Sequence, residues 1–240
     1  MKSVNLESLY ATTNEKTHAI WLENSGSGKQ REEDYYDPQK LALAAGIRPL
    51  MPHPVNHLLD ELNELARHDP LADVLPKAGF HFTFLPLTLP LYQQRGRLPE
   101  KSRQLANIWA DYEGKTLSIH HLRLVALPSQ LLLAGIPDEP AVAMRHAFCE
   151  QILNSPWKEE LLARHAQTPL PAPFWHSTLL RYRAAFLPEV LREFFRDRQS
   201  LFFGDVSGQL TLARINYNWT KCYPLSMQHL DASVAPRRDT

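Results

Sequence analysis

The sequence predicts a fold of mixed helices and strands in two similar lobes that face a shared cleft. Three observations lead there. From about residue 54 onward, helical spacing of apolar residues gives way repeatedly to short aromatic and β-branched runs. The order helix, histidine-bearing strand, helix, strand occurs twice. In both halves the histidine-bearing strand carries the pattern His-x-Thr, at His81 to Thr83 and at His176 to Thr178.

Residues 1–50 read as an amino-terminal extension, partly irregular. Residues 18–22 suggest a short strand, and the polar, glycine-bearing stretch 24–34 reads as a mobile loop. Leu58, Leu59, Leu62, Leu65 and Ala66 fall at helical spacing, which predicts an amphipathic helix over 55–67. A strand over 79–87 follows, then a helix over 99–112 that stops before Gly114. Residues 117–127 alternate as a strand. The second half predicts a strand at 131–136, helices at 139–153 and 157–165, a strand at 174–182, a helix at 188–198 and a strand at 208–217. The organisation expected is an extension over 1–50, a bilobal domain over 51–233, and a flexible tail over 234–240. Within the domain, lobe one covers about 51–127 and lobe two about 128–220.

Composition narrows the function. Lysine plus arginine equals aspartate plus glutamate at 26 each, so bulk charge gives no reason to expect a long nucleic-acid duplex as partner. A small nucleotide or a short RNA end needs only a local positive pocket and stays compatible. Cys149 and Cys222 cannot form a disulfide framework or a four-cysteine zinc site. No run approaches 18 consecutive apolar residues, and residues 1–17 lack the apolar stretch of a signal peptide. The expectation is a cytoplasmic protein with no membrane partner.

On a strand, residues i and i+2 share a face, roughly 6–7 Å apart, so each His-x-Thr projects an imidazole and a hydroxyl together. Two such strands across a cleft would converge on one site. Phosphodiester cleavage needs a base for the nucleophile and an acid for the leaving oxygen, and histidine serves either role near neutrality. Threonine hydroxyls suit the non-bridging oxygens, where charge accumulates. His81 and His176 are therefore the candidate catalytic pair, and Thr83 and Thr178 the candidate phosphate ligands. Tyr182, Tyr217 and Trp219 are candidate substrate contacts; alternation ranks Tyr182 above Arg181, since 176, 178, 180 and 182 share one face.

Paired His-x-Thr tetrads 95 residues apart resemble the signature of the 2H phosphoesterase superfamily. The resemblance spans roughly residues 50–220. It implies a bilobal α+β fold with a pseudo-twofold axis, a central groove lined by the tetrads, and phosphoester chemistry with neither metal nor cofactor. Its members include cyclic nucleotide phosphodiesterases acting on 2′,3′-cyclic ends, RNA 2′,5′-ligase-like proteins and several bacterial branches, so the substrate expected here is a 2′,3′-cyclic phosphate end or a small cyclic or 2′,5′-linked nucleotide. The extension over 1–50 departs from compact members and is expected to cap the groove or supply binding side chains. The alternative is a protein that binds nucleotides or RNA ends without turnover.

Other motifs carry less. His120 and His121 are adjacent on a strand and face opposite sides. His53 and His57 have i, i+4 spacing without the glutamate of a zinc-protease helix. Residues 25–29 lack the spacing of a phosphate-binding loop.

Overall fold

The computed structural model describes residues 5–32, 37, 39–94 and 96–225. In chain order the first half comprises α1 (Leu6–Glu23), β1 (Ala42–Ile47), α2 (His53–Leu65), β2 (Ala72–Val74), β3 (Phe82–Pro86), α3 (Ser102–Trp109) and β4 (Thr116–Leu127). The second half adds β5 (Gln130–Pro137), α4 (Glu139–Leu153), α5 (Lys158–Arg164), β6 (His176–Tyr182), α6 (Glu189–Arg198), β7 (Val206–Gln209), β8 (Thr211–Ile215) and β9 (Cys222–Pro224). The fold is α+β. One sheet runs β3-β1-β8-β9 and the other β2-β6-β5-β4-β7, with every pairing antiparallel.

The sheets do not follow the two chain halves expected from the sequence. β4, expected in lobe one, pairs with β5 in the sheet that holds His176. β8 returns from the far end of the chain to lie beside β1, in the sheet next to His81. The strand expected over 208–217 is two strands, because the chain leaves one sheet at Gln209 and enters the other at Thr211. Leu210, 2 % exposed, is the buried crossing point. Each sheet thus borrows two strands across the chain midpoint, β8 and β9 in one and β2 and β4 in the other, and the halves share one hydrophobic core.

The extension is structured and belongs to the frame. β1 is an inner strand between β3 and β8. Its residues Leu43, Ala44, Ala45 and Ile47 are all buried, so it lacks the alternation that marks a half-exposed strand. Residues 18–22 are helical, not a strand: they close α1, which Asn5 caps by accepting from the backbone N–H of Ser8 at 3.1 Å. This helix docks on the β4–β5 hairpin chiefly through polar contacts to backbone. The Thr17 hydroxyl donates to the Ala126 carbonyl at 2.7 Å, and the Trp21 indole to that of Pro128 at 3.0 Å. Only Tyr10, Thr17 and Trp21 are buried along it, which explains the missing apolar stripe.

The glycine-bearing loop is tied down over its described part. Phe186 and Ala185 donate to the carbonyls of Ser27 and Lys29, and Arg31 donates to that of Arg183, at 2.9–3.0 Å. The buried Arg192 guanidinium donates to the carbonyls of Trp21, Asn24 and Gly26. Residues 33–36 and the expected tail at 234–240 lie outside the described residues. Among the described residues no helix is long and apolar enough to cross a membrane.

Candidate active site

A cleft of about 290 Å³ opens between the sheets, close to the lower end of small-molecule pockets, about 300–1,000 Å³. β1, β3 and β8 line one wall, and β5 and β6 the other. His81, Thr83, His176 and Thr178 all face into it, so the two tetrads converge as the sequence predicts.

The same irregularity follows each tetrad. In β3, Leu85 pairs with Ala45 and Thr83 with Gly46, so Phe84 is an extra, bulged residue. In β6, Leu180 pairs with Leu131 and Thr178 with Leu132, so Leu179 is the extra one. A bulge reverses which face the following residues present. Beyond Leu179 it is therefore Arg181, not Tyr182, that turns into the cleft. Tyr182 packs into the hydrophobic core at 4 % exposure, which corrects the ranking that strict alternation gave.

His81 is held from two sides. Its Nδ1 lies 2.6 Å from the Gly79 carbonyl, which can only accept, so Nδ1 carries the proton and Nε2 keeps a lone pair. Its ring stacks on Trp219 with centroids 4.9 Å apart and planes 14° from parallel. Trp219 is buried and has φ of 57°, a left-handed conformation that costs energy for a bulky residue. The turn between β8 and β9 enforces it: Trp219 N–H donates to the Asn216 carbonyl, and Lys221 N–H to the Asn216 side chain. Two glycines make room for the turn. A Cβ on Gly46 would sit 2.8 Å from the Trp219 ring, and one on Gly79 would sit 2.2 Å from the Asn218 carbonyl. With a ring face taken by His81, Trp219 orients the histidine. Tyr217 is half-buried on the cleft wall, with the Arg181 guanidinium 5.1 Å from its ring.

His176 is held differently. Its Nδ1 is buried with no hydrogen-bond partner among the described residues, and its ring meets the edge of Phe174 at 6.1 Å. Burial pushes both imidazoles down, His81 to about 3 and His176 to about 4. Arg181 adds to both depressions, His176 to that of His81, and Arg145 to that of His176. Both rings are thus neutral at neutral pH.

Lys40, Arg145, Arg164 and Arg181 line the cleft, and no carboxylate is among the described lining residues. Such a surplus of cations suits an anion. Arg145 is 4 % exposed, lies 3.7 Å from the Trp175 ring centre, and donates to the Phe174 and Pro173 carbonyls. Sequence reading passed it over, although a signal was present: it falls at i, i+4 spacing with Ala141 and Cys149, on the buried face of α4. His165 also lines the cleft, but both its nitrogens are engaged, by the Pro86 carbonyl and the Thr168 hydroxyl. Elsewhere, His120 binds Asp138 and Asp205 on the surface, and those carboxylates raise its pKa. Among the described residues no three His, Cys, Asp or Glu side chains are grouped to hold a metal ion.

No family model matches the chain, and no curated protein matches it. Solved structures do. E. coli LigT complexed with 3′-AMP is 14% identical over 78% of this chain and 96% of its own, with a TM-score of 0.45. TT0787 of Thermus thermophilus is 16% identical over 77% and 97%, with a TM-score of 0.46. A third, described as a phosphoesterase, is 16% identical over 78% and 96%, also at 0.46.

Proposed function

We propose that this protein is a phosphodiesterase of the 2H type, acting on a nucleotide or RNA-end phosphodiester such as a 2′,3′-cyclic phosphate or a small cyclic or 2′,5′-linked nucleotide. The observation that carries the reading is the convergence of His81, Thr83, His176 and Thr178 in one cleft rich in cations. A phosphate seated there would have its non-bridging oxygens within reach of the two hydroxyls and Arg181, where developing charge needs donors. His81, with its proton fixed on Nδ1, offers Nε2 as the base that takes a proton from the attacking water or ribose hydroxyl. His176 is then the acid. It acquires its proton as the bound anion favours the imidazolium and offsets the desolvation that otherwise keeps it neutral. Once charged, it protonates the departing oxygen. In reverse the roles exchange. Tyr217 is placed to stack on a base. Cys149 and Cys222, both free thiols, fit a reducing, cytoplasmic setting.

Incubation with a panel of cyclic and linear nucleotides, with products read by phosphorus NMR, tests this. The expected result is a phosphomonoester from a 2′,3′-cyclic or 2′,5′-linked substrate, at a rate that survives EDTA. Binding with no product over hours would overturn catalysis and leave a nucleotide-binding protein. Loss of activity in EDTA would overturn the two-histidine mechanism.

A further inference from the structure

Helix α1 reaches the second tetrad through one side chain. Tyr10, 1 % exposed, donates its hydroxyl to the Gly135 carbonyl at 2.9 Å and accepts from the Trp175 backbone N–H at 3.3 Å. Gly135 N–H itself donates to the Trp175 carbonyl at 3.0 Å. In the register that pairs Ala134 with His176, the return bond of this pair would run from Trp175 N–H to the Gly135 carbonyl. The Tyr10 hydroxyl sits between those two groups and bridges them. A residue 165 positions away thus completes the ladder immediately before His176.

The ring acts on the same spot. Tyr10 meets Phe174 edge-on, with centroids 5.1 Å apart and planes at 89°, and Phe174 meets His176 edge-on at 6.1 Å and 87°. His176 has no hydrogen bond to Nδ1 among the described residues to fix its orientation, so packing must do so. This contrasts with His81, which has both a carbonyl and a stacked indole. Burial pushes the Tyr10 hydroxyl up to about 12, so it stays protonated and can donate across the working pH range.

We infer that Tyr10 is a positioning residue for His176: through the bridged ladder and Phe174 it sets the angle of the imidazole, which makes α1 a part of the catalytic apparatus. The role assigned to His176 rests on the proposed function, whereas the contact chain does not. The experiment therefore has a readout that needs no turnover. Ring signals of His81 and His176 are assigned by His→Gln variants and followed by NMR in the wild type, Tyr10→Phe and Thr17→Val, with and without inorganic phosphate. Thr17→Val removes another α1 bond to the sheet, to Ala126, away from His176. The expected result is that Tyr10→Phe shifts the His176 signals and leaves those of His81, while Thr17→Val moves neither. On a substrate that turns over, Tyr10→Phe should lower kcat about tenfold with KM changed less than twofold, the signature of misplaced chemistry. Superimposable His176 signals in Tyr10→Phe and wild type would overturn the inference. So would equal shifts in Tyr10→Phe and Thr17→Val, which would reduce Tyr10 to a general anchor of α1. If no substrate turns over but His176 alone responds to Tyr10→Phe, the positioning stands and the catalytic reading falls.

Discussion

At the scale of single residues, the site is governed by burial. Two imidazoles held neutral by desolvation are poor acids until an anion joins them, so the bound and free proteins should titrate differently. A phosphate favours imidazolium and raises both pKa values, so the bell of kcat against pH should lie at higher pH than that of kcat/KM. Parallel pH–rate profiles check this, and coincident bells would contradict it. Arg181 entered the cleft only because of the Leu179 bulge. Arg181→Met should raise KM about tenfold or more, as loss of a charge-assisted bond costs roughly 1.5–3 kcal/mol. Tyr182→Phe, in the core, should leave KM unchanged. Steady-state kinetics of the two variants decides between them.

At the scale of elements, the sequence showed the periodic helices and the two tetrads, and it misled where a strand departs from a period of two. α4 follows the apolar spacing expected over 139–153, and β4 begins within a residue of its expected start. Three β-bulges broke the alternation: Phe84 in β3, Leu179 in β6, and the left-handed His121 in β4, where His120 pairs with Ile136 but Arg123 with Ala134. A bulge has little signature in one sequence, because most residue types can occupy it. β1 was invisible for another reason: an inner strand built mainly on alanine and glycine has no alternation and a single β-branched residue, Ile47. α1 docks through hydroxyl and indole groups on backbone carbonyls, which no hydropathy pattern reports. Small residues in β1 nevertheless have a purpose. Gly46→Ala would bring a Cβ within 2.6 Å of the Phe82 carbonyl and 2.8 Å of the Trp219 ring. Overpacking of this kind costs about 1–3 kcal/mol. The expected outcome is a lower midpoint in urea denaturation, with activity falling further than stability as Trp219 shifts off His81.

At the scale of the whole molecule, the two sheets share strands across the chain midpoint, so the cleft and the core stand or fall together. Acid should reveal the coupling. His81 and His176 ordinarily titrate at 6.5, but the fold holds them at about 3 and about 4. Between those values the unfolded chain binds more protons than the folded one, so stability rises with pH. It should therefore be fully retained above about pH 6.5 and lost as pH falls toward 4 for the His176 part and toward 3 for the His81 part, and the His81→Gln and His176→Gln variants should flatten that loss. Urea denaturation at stepped pH measures it, and an unchanged slope in both variants would contradict the burial argument.

The most direct test of two imidazoles acting on one phosphoryl group is the initial rate of cleavage of a responsive cyclic nucleotide by wild type, His81→Ala and His176→Ala, with folding checked by circular dichroism. Each single variant should lose about 10²–10⁴ in rate while keeping the wild-type spectrum. A folded single variant that retains the wild-type rate would contradict the assignment.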